Sequence, residues 1–172
     1  MRRRELLRCL AATLPCSTAA SAQPALQGAP VSPVSPVLAV TGRVARPNRG
    51  QDFVFDMAML EALAQRSFSA RTPWYPQARK FTGPLLRTVL EAATAQGTLV
   101  RAIALNDYRI DIPMSDLQQY DVLLARLLDD KPMAVRDKGP LFIVYPFDER
   151  PELRNTLHYS RCAWQLIKLE VL

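Results

Sequence analysis

Cysteine and histidine are scarce in this chain, with three and one among 172 residues. Cys9 and Cys16 fall in an N-terminal segment that reads as a removable leader, so the remaining Cys162 has no partner for an internal disulfide. Stability is therefore expected to rest on packing. The one histidine, His158, has no Cys or His at metal-ligand spacing, and nothing in the sequence supplies it with an orienting carboxylate or a nucleophile. A zinc site or a serine triad would have to be built around that residue alone, and it is expected to lie on the surface or to pack. No stretch approaches the roughly 20 apolar residues that a membrane span needs, so direct membrane insertion is not expected.

A strong charge of one sign is also missing once the leader is set aside. Residues 1–22 read as an export signal: Arg2, Arg3, Arg4 and Arg8 form a basic start, Leu10 to Leu14 are mildly apolar, and Ala20-Ser21-Ala22 offers small residues at a cleavage site. Arg3-Arg4-Glu5-Leu6-Leu7-Arg8 is similar to a twin-arginine export motif, although an arginine run at a signal start produces the same pattern. Either route places the mature chain in the periplasm. Pro15 before Cys16 makes a poor lipoprotein signal. The chain's net charge of +6 falls to +3 without the leader's four arginines and one glutamate. With no basic run left in the mature part, nucleic acid is not an expected partner.

What is present is one domain's worth of alternating patterns. Residues 23–37 are rich in proline, alanine and serine without periodicity, as in a tether, and the domain is expected over 38–172. Leu38 to Val44 reads as a strand, Arg46 to Gly50 as a turn and Asp52 to Phe55 as the return. Asp56 is placed to cap a short helix carrying Leu60 and Leu63, with Met57 and Met59 as core filler. A second helix has Pro84 in its first turn, Leu86, Val89, Leu90 and Ala93 at helical spacing, and Gly97 at its close. Strands are predicted at Val100 to Ala104, Tyr108 to Ile112 and Val122 to Leu128, with a short helix capped by Ser115 before the last of these. Asp129 to Pro132 reads as a turn, Leu141 to Tyr145 as a buried strand, and Gln165 to Val171 as a closing one. Short helices scattered among strands without βαβ alternation predict a mixed-sheet α+β domain.

Several short pieces, in this order, carry a resemblance: Gly42-Arg43-Val44, Leu60-Glu61-Ala62-Leu63, Thr82-Gly83-Pro84-Leu85-Leu86, Asn106-Asp107-Tyr108, Lys131-Pro132-Met133, Lys138-Gly139-Pro140-Leu141, Tyr159-Ser160-Arg161 and Trp164-Gln165-Leu166. Together they resemble the molybdopterin-binding domain of sulfite oxidase-like enzymes, over about residues 38–172. That resemblance implies a mixed-sheet fold of the same type and a groove for a pterin cofactor. In catalytic members a cysteine ahead of the second helix ligates molybdenum. Here Ser67 to Tyr75 contains none, and Ser67, Ser69 or Thr72 would be poor substitutes for a thiolate. The chain more closely resembles small periplasmic pterin-binding regulators that act with membrane diguanylate cyclases or sensor kinases.

The implied function is a receptor without catalytic residues or molybdenum, which takes a pterin and relays its occupancy to the periplasmic domain of a membrane partner. The alternatives are a molybdopterin-dependent oxidoreductase that holds its cofactor without cysteine, and an adaptor with a vestigial groove. A pterin asks for a stacking face, acceptors for its guanidine-like edge and donors for its carbonyl. Trp74 suits stacking, or packs at the rim. Asp107, with Asn106 beside it, would accept from the edge, or simply forms a turn. Arg136 and Lys138 are candidate donors, or a solvated loop pairing with Asp137. Arg161 would reach the same groove, or pairs with Glu149 or Glu152. Tyr108 is expected to pack, and Cys162 to be a small buried hydrophobe.

Overall fold

The computed structural model describes residues 35–172. The expected export signal and most of the tether lie outside the described residues. The last tether residue, Val37, already joins the fold by donating its backbone N–H to Phe55.

Strand β1 (Leu38–Gly42) alternates buried Leu38 and Val40 with less buried neighbours and pairs antiparallel with β2 (Phe53–Phe55) through the expected turn. The strand stops at Gly42, two residues short of the predicted end. There φ is +84°, and a Cβ would strike the backbone of Val171, so only glycine allows the last strand to lie so close. Asp56 caps helix α1 (Met57–Ala62), accepting from the Met59 N–H at 2.7 Å, as its position predicts.

The segment that follows corrects the sequence reading. Gln65–Ala70 forms β3, which pairs antiparallel with β4 (Arg79–Pro84). Pro84 therefore ends a strand instead of opening a helix. Gly83 is required in β4 because a Cβ would meet the Leu124 carbonyl of a crossing strand. Helix α2 (Leu86–Ala92) then buries Leu86, Val89 and Leu90 at the predicted spacing. It is closed by Ala93 and by Thr94 at φ +51°, and Gly97 lies beyond it.

Strands β5 (Leu99–Ala104) and β6 (Arg109–Pro113) form the predicted hairpin, and α3 (Met114–Gln119) follows directly. Pro113 occupies the N-cap position of α3, so Ser115 does not cap it. The predicted strand at Val122 to Leu128 is broken at Arg126 into β7 (Leu123–Ala125) and β8 (Leu127–Leu128). Asp129 and Asp130, with φ of +48° and +64°, make a tight two-residue turn from β8 into β9 (Lys131–Pro132). Two successive left-handed residues match the twist of a hairpin, and aspartate tolerates that conformation.

Strand β10 (Phe142–Val144) is wholly buried and pairs with β7. Helix α4 (Thr156–Ser160) is capped by Asn155, and β11 (Leu166–Val171) closes the chain. Strand β11 is inserted between β1, to which it is parallel, and β5, to which it is antiparallel. The result is a five-stranded mixed sheet of order β2-β1-β11-β5-β6, beside a four-stranded sheet β3-β4-β8-β9 and the β7-β10 pair. One contiguous apolar core joins them, and the fold is α+β as predicted. Cys162 is in that core and forms no disulfide. No helix among the described residues is long and apolar enough to cross a membrane.

Candidate functional site

Three elements meet around a cavity of about 360 Å³: the loop after β3, the β5–β6 turn, and α4 with the strand approach that follows it. The loop contributes Pro73 and Trp74, the turn Asn106 and Tyr108, and the last segment Tyr159 and Trp164. Trp74 is half-buried at the centre of the aromatic group. Its ring lies 5.5 Å from that of Trp164, 6.2 Å from that of Tyr159 and 5.5 Å from that of Phe142, each nearly edge to face. Such contacts orient the indole more firmly than area alone would.

The polar groups at this cavity are few and uncharged. Asn106 accepts the Tyr108 N–H through Oδ1 at 3.2 Å, which fixes the amide and leaves its Nδ2 to donate elsewhere. The Tyr108 hydroxyl donates to the Ser160 carbonyl at 2.8 Å and so ties the β5–β6 turn to α4. Ser160 Oγ donates to the Leu157 carbonyl, leaving its lone pairs as an acceptor. Thr156 adds another hydroxyl. The walls therefore suit a flat heterocycle with a few hydrogen-bonding positions and no strong charge.

Two of the residues named from sequence, Trp74 and Asn106, come together here; the other four do not line this cavity. Asp107 takes the turn role. Its φ is +62°, its N–H bonds the Ala104 carbonyl, and its side chain is 87 % exposed, 4.0 Å from Arg109. Arg136 and Lys138 line a second cleft with Tyr75 and Arg79. Arg161 pairs with neither Glu149 nor Glu152; its Nη1 donates to Asp116 Oδ2 at 2.6 Å. Tyr145 donates to the same oxygen at 2.8 Å, and burial followed by the Asp116 charge raises the Tyr145 pKa far above its ordinary value. This triad ties the end of α4 to α3 and to Tyr145.

Tyr108, Tyr159, Ser160 and Trp164 were missed as site residues, although they sit in the short segments that carry the family resemblance. For Tyr108, Tyr159 and Trp164 the signal was aromatic content in three separate segments, which only the fold unites; Ser160 carried none. Histidine 158 packs against Tyr120 and Tyr145, and its Nδ1 lies 3.0 Å from Asn155 Oδ1.

Cys162 is buried as expected, and it also lines the cavity. Burial pushes its thiol up to about 12, against a smaller lowering by the Tyr145 backbone, and Sγ donates to the His158 carbonyl. It remains a thiol near neutral pH. The resemblance implies a protein thiolate as the molybdenum ligand and cations for the cofactor's phosphate; the one thiol lining this cavity is held protonated, and no charged residue lines it. Ser67 bonds Thr82 at 2.7 Å, and Ser67, Ser69 and Thr72 do not line the cavity. The donor set does not fit a molybdenum cofactor. Compared with known proteins, the chain matches no protein-family model and no curated protein.

Proposed function

We propose that this protein is an exported, non-catalytic receptor for a pterin, and that it relays the ligand's occupancy to the periplasmic domain of a membrane signalling partner such as a diguanylate cyclase. The observation that carries the reading is the cavity bounded by Trp74, Tyr108, Tyr159 and Trp164, with the Asn106 amide at its edge. A pterin ring is flat, neutral and small enough for about 360 Å³, and it carries both donors and acceptors at its rim. The resemblance of the ordered sequence segments to periplasmic pterin-binding regulators points the same way, and supplies the expectation of a signalling partner.

The protonated Cys162 and the absence of charged residues among the cavity's lining favour a bound ring over a bound metal. Calorimetric titration of the chain from Gln23 onward with a reduced pterin is the direct test. A saturable heat that is lost when Trp74 is replaced by alanine is the expected result. No binding at about millimolar pterin would end the proposal, since that corresponds to only about −4 kcal/mol.

A further inference from the structure

We propose that strand β3 is a pairing edge, through which two copies of this chain join antiparallel about a two-fold axis at Ser67. Arg126 and Asp129 donate their N–H groups to the carbonyls of Thr82 and Lys80, so these two residues of β4 face β8. Their partners on the other side of β4, Ser67 and Ser69, consequently make no ladder bond to it, and with Gln65 they turn backbone N–H and C=O groups outward. Arg71 confirms this alternation. Its N–H, the next outward donor, is taken by Asp148 Oδ1 at 3.2 Å. Gln65, Ser67 and Ser69 are exposed, and among the described residues their outward backbone groups have no partner.

The other free edges are defended and this one is not. Strand β9 is a lysine and a proline, β2 is three residues long, and β6 carries Arg109 and Asp111 and ends at Pro113. Charge, proline and shortness are the devices that keep an edge from pairing. Strand β3 runs for six residues without proline, and the side chains at its three outward positions are uncharged. A two-fold contact needs a surface that complements itself. Register centred on Ser67 places that residue against its own copy and Gln65 against Ser69, which gives up to about six hydrogen bonds and opposes no like charges. The same register sets Arg71, exposed and without an ion pair among the described residues, opposite Leu63 of the second copy, two positions from the half-exposed Glu61. Residues 23–37 carry four prolines and are unsuited to fill the edge themselves. This pairing does not depend on what fills the aromatic cavity.

Analytical ultracentrifugation of the folded chain from Gln23 onward, between about 10 µM and about 500 µM, is the test. A reversible dimer is expected, weakened at least about tenfold by Ser67→Lys with Ser69→Lys, which set like charges across the axis. Register is checked by Ser67→Cys. Directly opposed residues of a hydrogen-bonded pair have Cα atoms about 5.5 Å apart, within disulfide range, so mild oxidation should yield a covalent dimer. Arg109→Cys, on the edge of β6, should not. Cys162 is buried and does not compete. A monomer at every concentration would overturn the proposal and leave the edge to an extended segment of a different protein. A dimer unchanged by the paired lysines, or cross-linked as readily through Arg109→Cys, would overturn it by placing the interface elsewhere.

Discussion

The Asp116 carboxylate and the Arg161 guanidinium meet at 2.6 Å, with side chains only 11 % and 15 % exposed. Asp116 belongs to α3 and Arg161 follows α4 directly, so one ion pair fastens the end of the helix that walls the cavity to α3. Tyr145 shares the carboxylate and comes from the end of the buried strand β10. Arg161 therefore acts on any ligand through the position of Tyr159 and Ser160, its own charge being held by Asp116.

Removing Asp116 should strip both donors of their acceptor. Breaking one partner of a buried pair leaves the other charge unpaired and typically costs about 3 to 5 kcal/mol. Asp116→Ala is expected to fall in that range by urea denaturation. Asp116→Asn, which keeps an acceptor for Tyr145, should lose less. Equal, sub-kilocalorie losses in both would show that the triad contributes little.

Ligand binding should separate Trp74 and Asn106 from Asp107. Trp74→Ala and Asn106→Ala should each weaken pterin binding by about 1 to 3 kcal/mol, through the lost aromatic face and the lost amide. Asp107→Asn should change it by less than about 0.5 kcal/mol, because the carboxylate points to solvent and asparagine also accepts a left-handed φ. A large effect of Asp107→Asn in calorimetry would return the carboxylate to the ligand.

Stability should depend on pH through His158. Burial, opposed by Asp116 and reinforced by Arg161, holds its pKa below the ordinary 6.5. The unfolded imidazole then takes a proton more readily than the folded one. Stability is accordingly full above about pH 6.5, falls as pH drops through that value, and levels off once the folded ring is protonated too. Urea midpoints measured from about pH 8 to about pH 5 should slope less in His158→Gln than in the parent. Parallel slopes would assign the dependence to other groups.

The contrast between β10 and β3 explains which parts of the fold could be read in advance. Leu141 to Tyr145 is continuously apolar and bounded by Pro140 and Pro146, so its burial is written locally. In β3 only Phe68 and Ala70 are buried, and Gln65, Arg66, Ser67 and Ser69 give it the look of a loop. Strand β4 carries Gly83 and Pro84, which normally argue against a strand. Its glycine answers to the Leu124 backbone far along the chain, a constraint invisible to local pattern. The site divides the same way. Trp74 and Asn106 could be named because their chemistry is distinctive. Tyr159 and Trp164 join them only because β11 runs between β1 and β5 and carries its approach segment to the β5–β6 turn. Arg136 and Lys138 were grouped with them on charge, yet Lys138 stands against Trp164 from a neighbouring cleft.

Cys162 offers a probe of how the cavity opens. The residue is 2 % exposed and its thiol is pushed up to about 12, so at about pH 8 thiolate is a minute fraction even where reagent could reach it. In the chain from Gln23 onward it is the only cysteine, and every labelling event reports this one position. Disulfide-exchange labelling of the native protein should be slow and should accelerate sharply through the urea transition, following the unfolded population. A ligand held in the cavity should slow it further, because binding to the native state alone lowers the open fraction. Rapid native-state labelling would mean that α4 detaches readily from Asp116, and that the aromatic walls are not held ready for a ring.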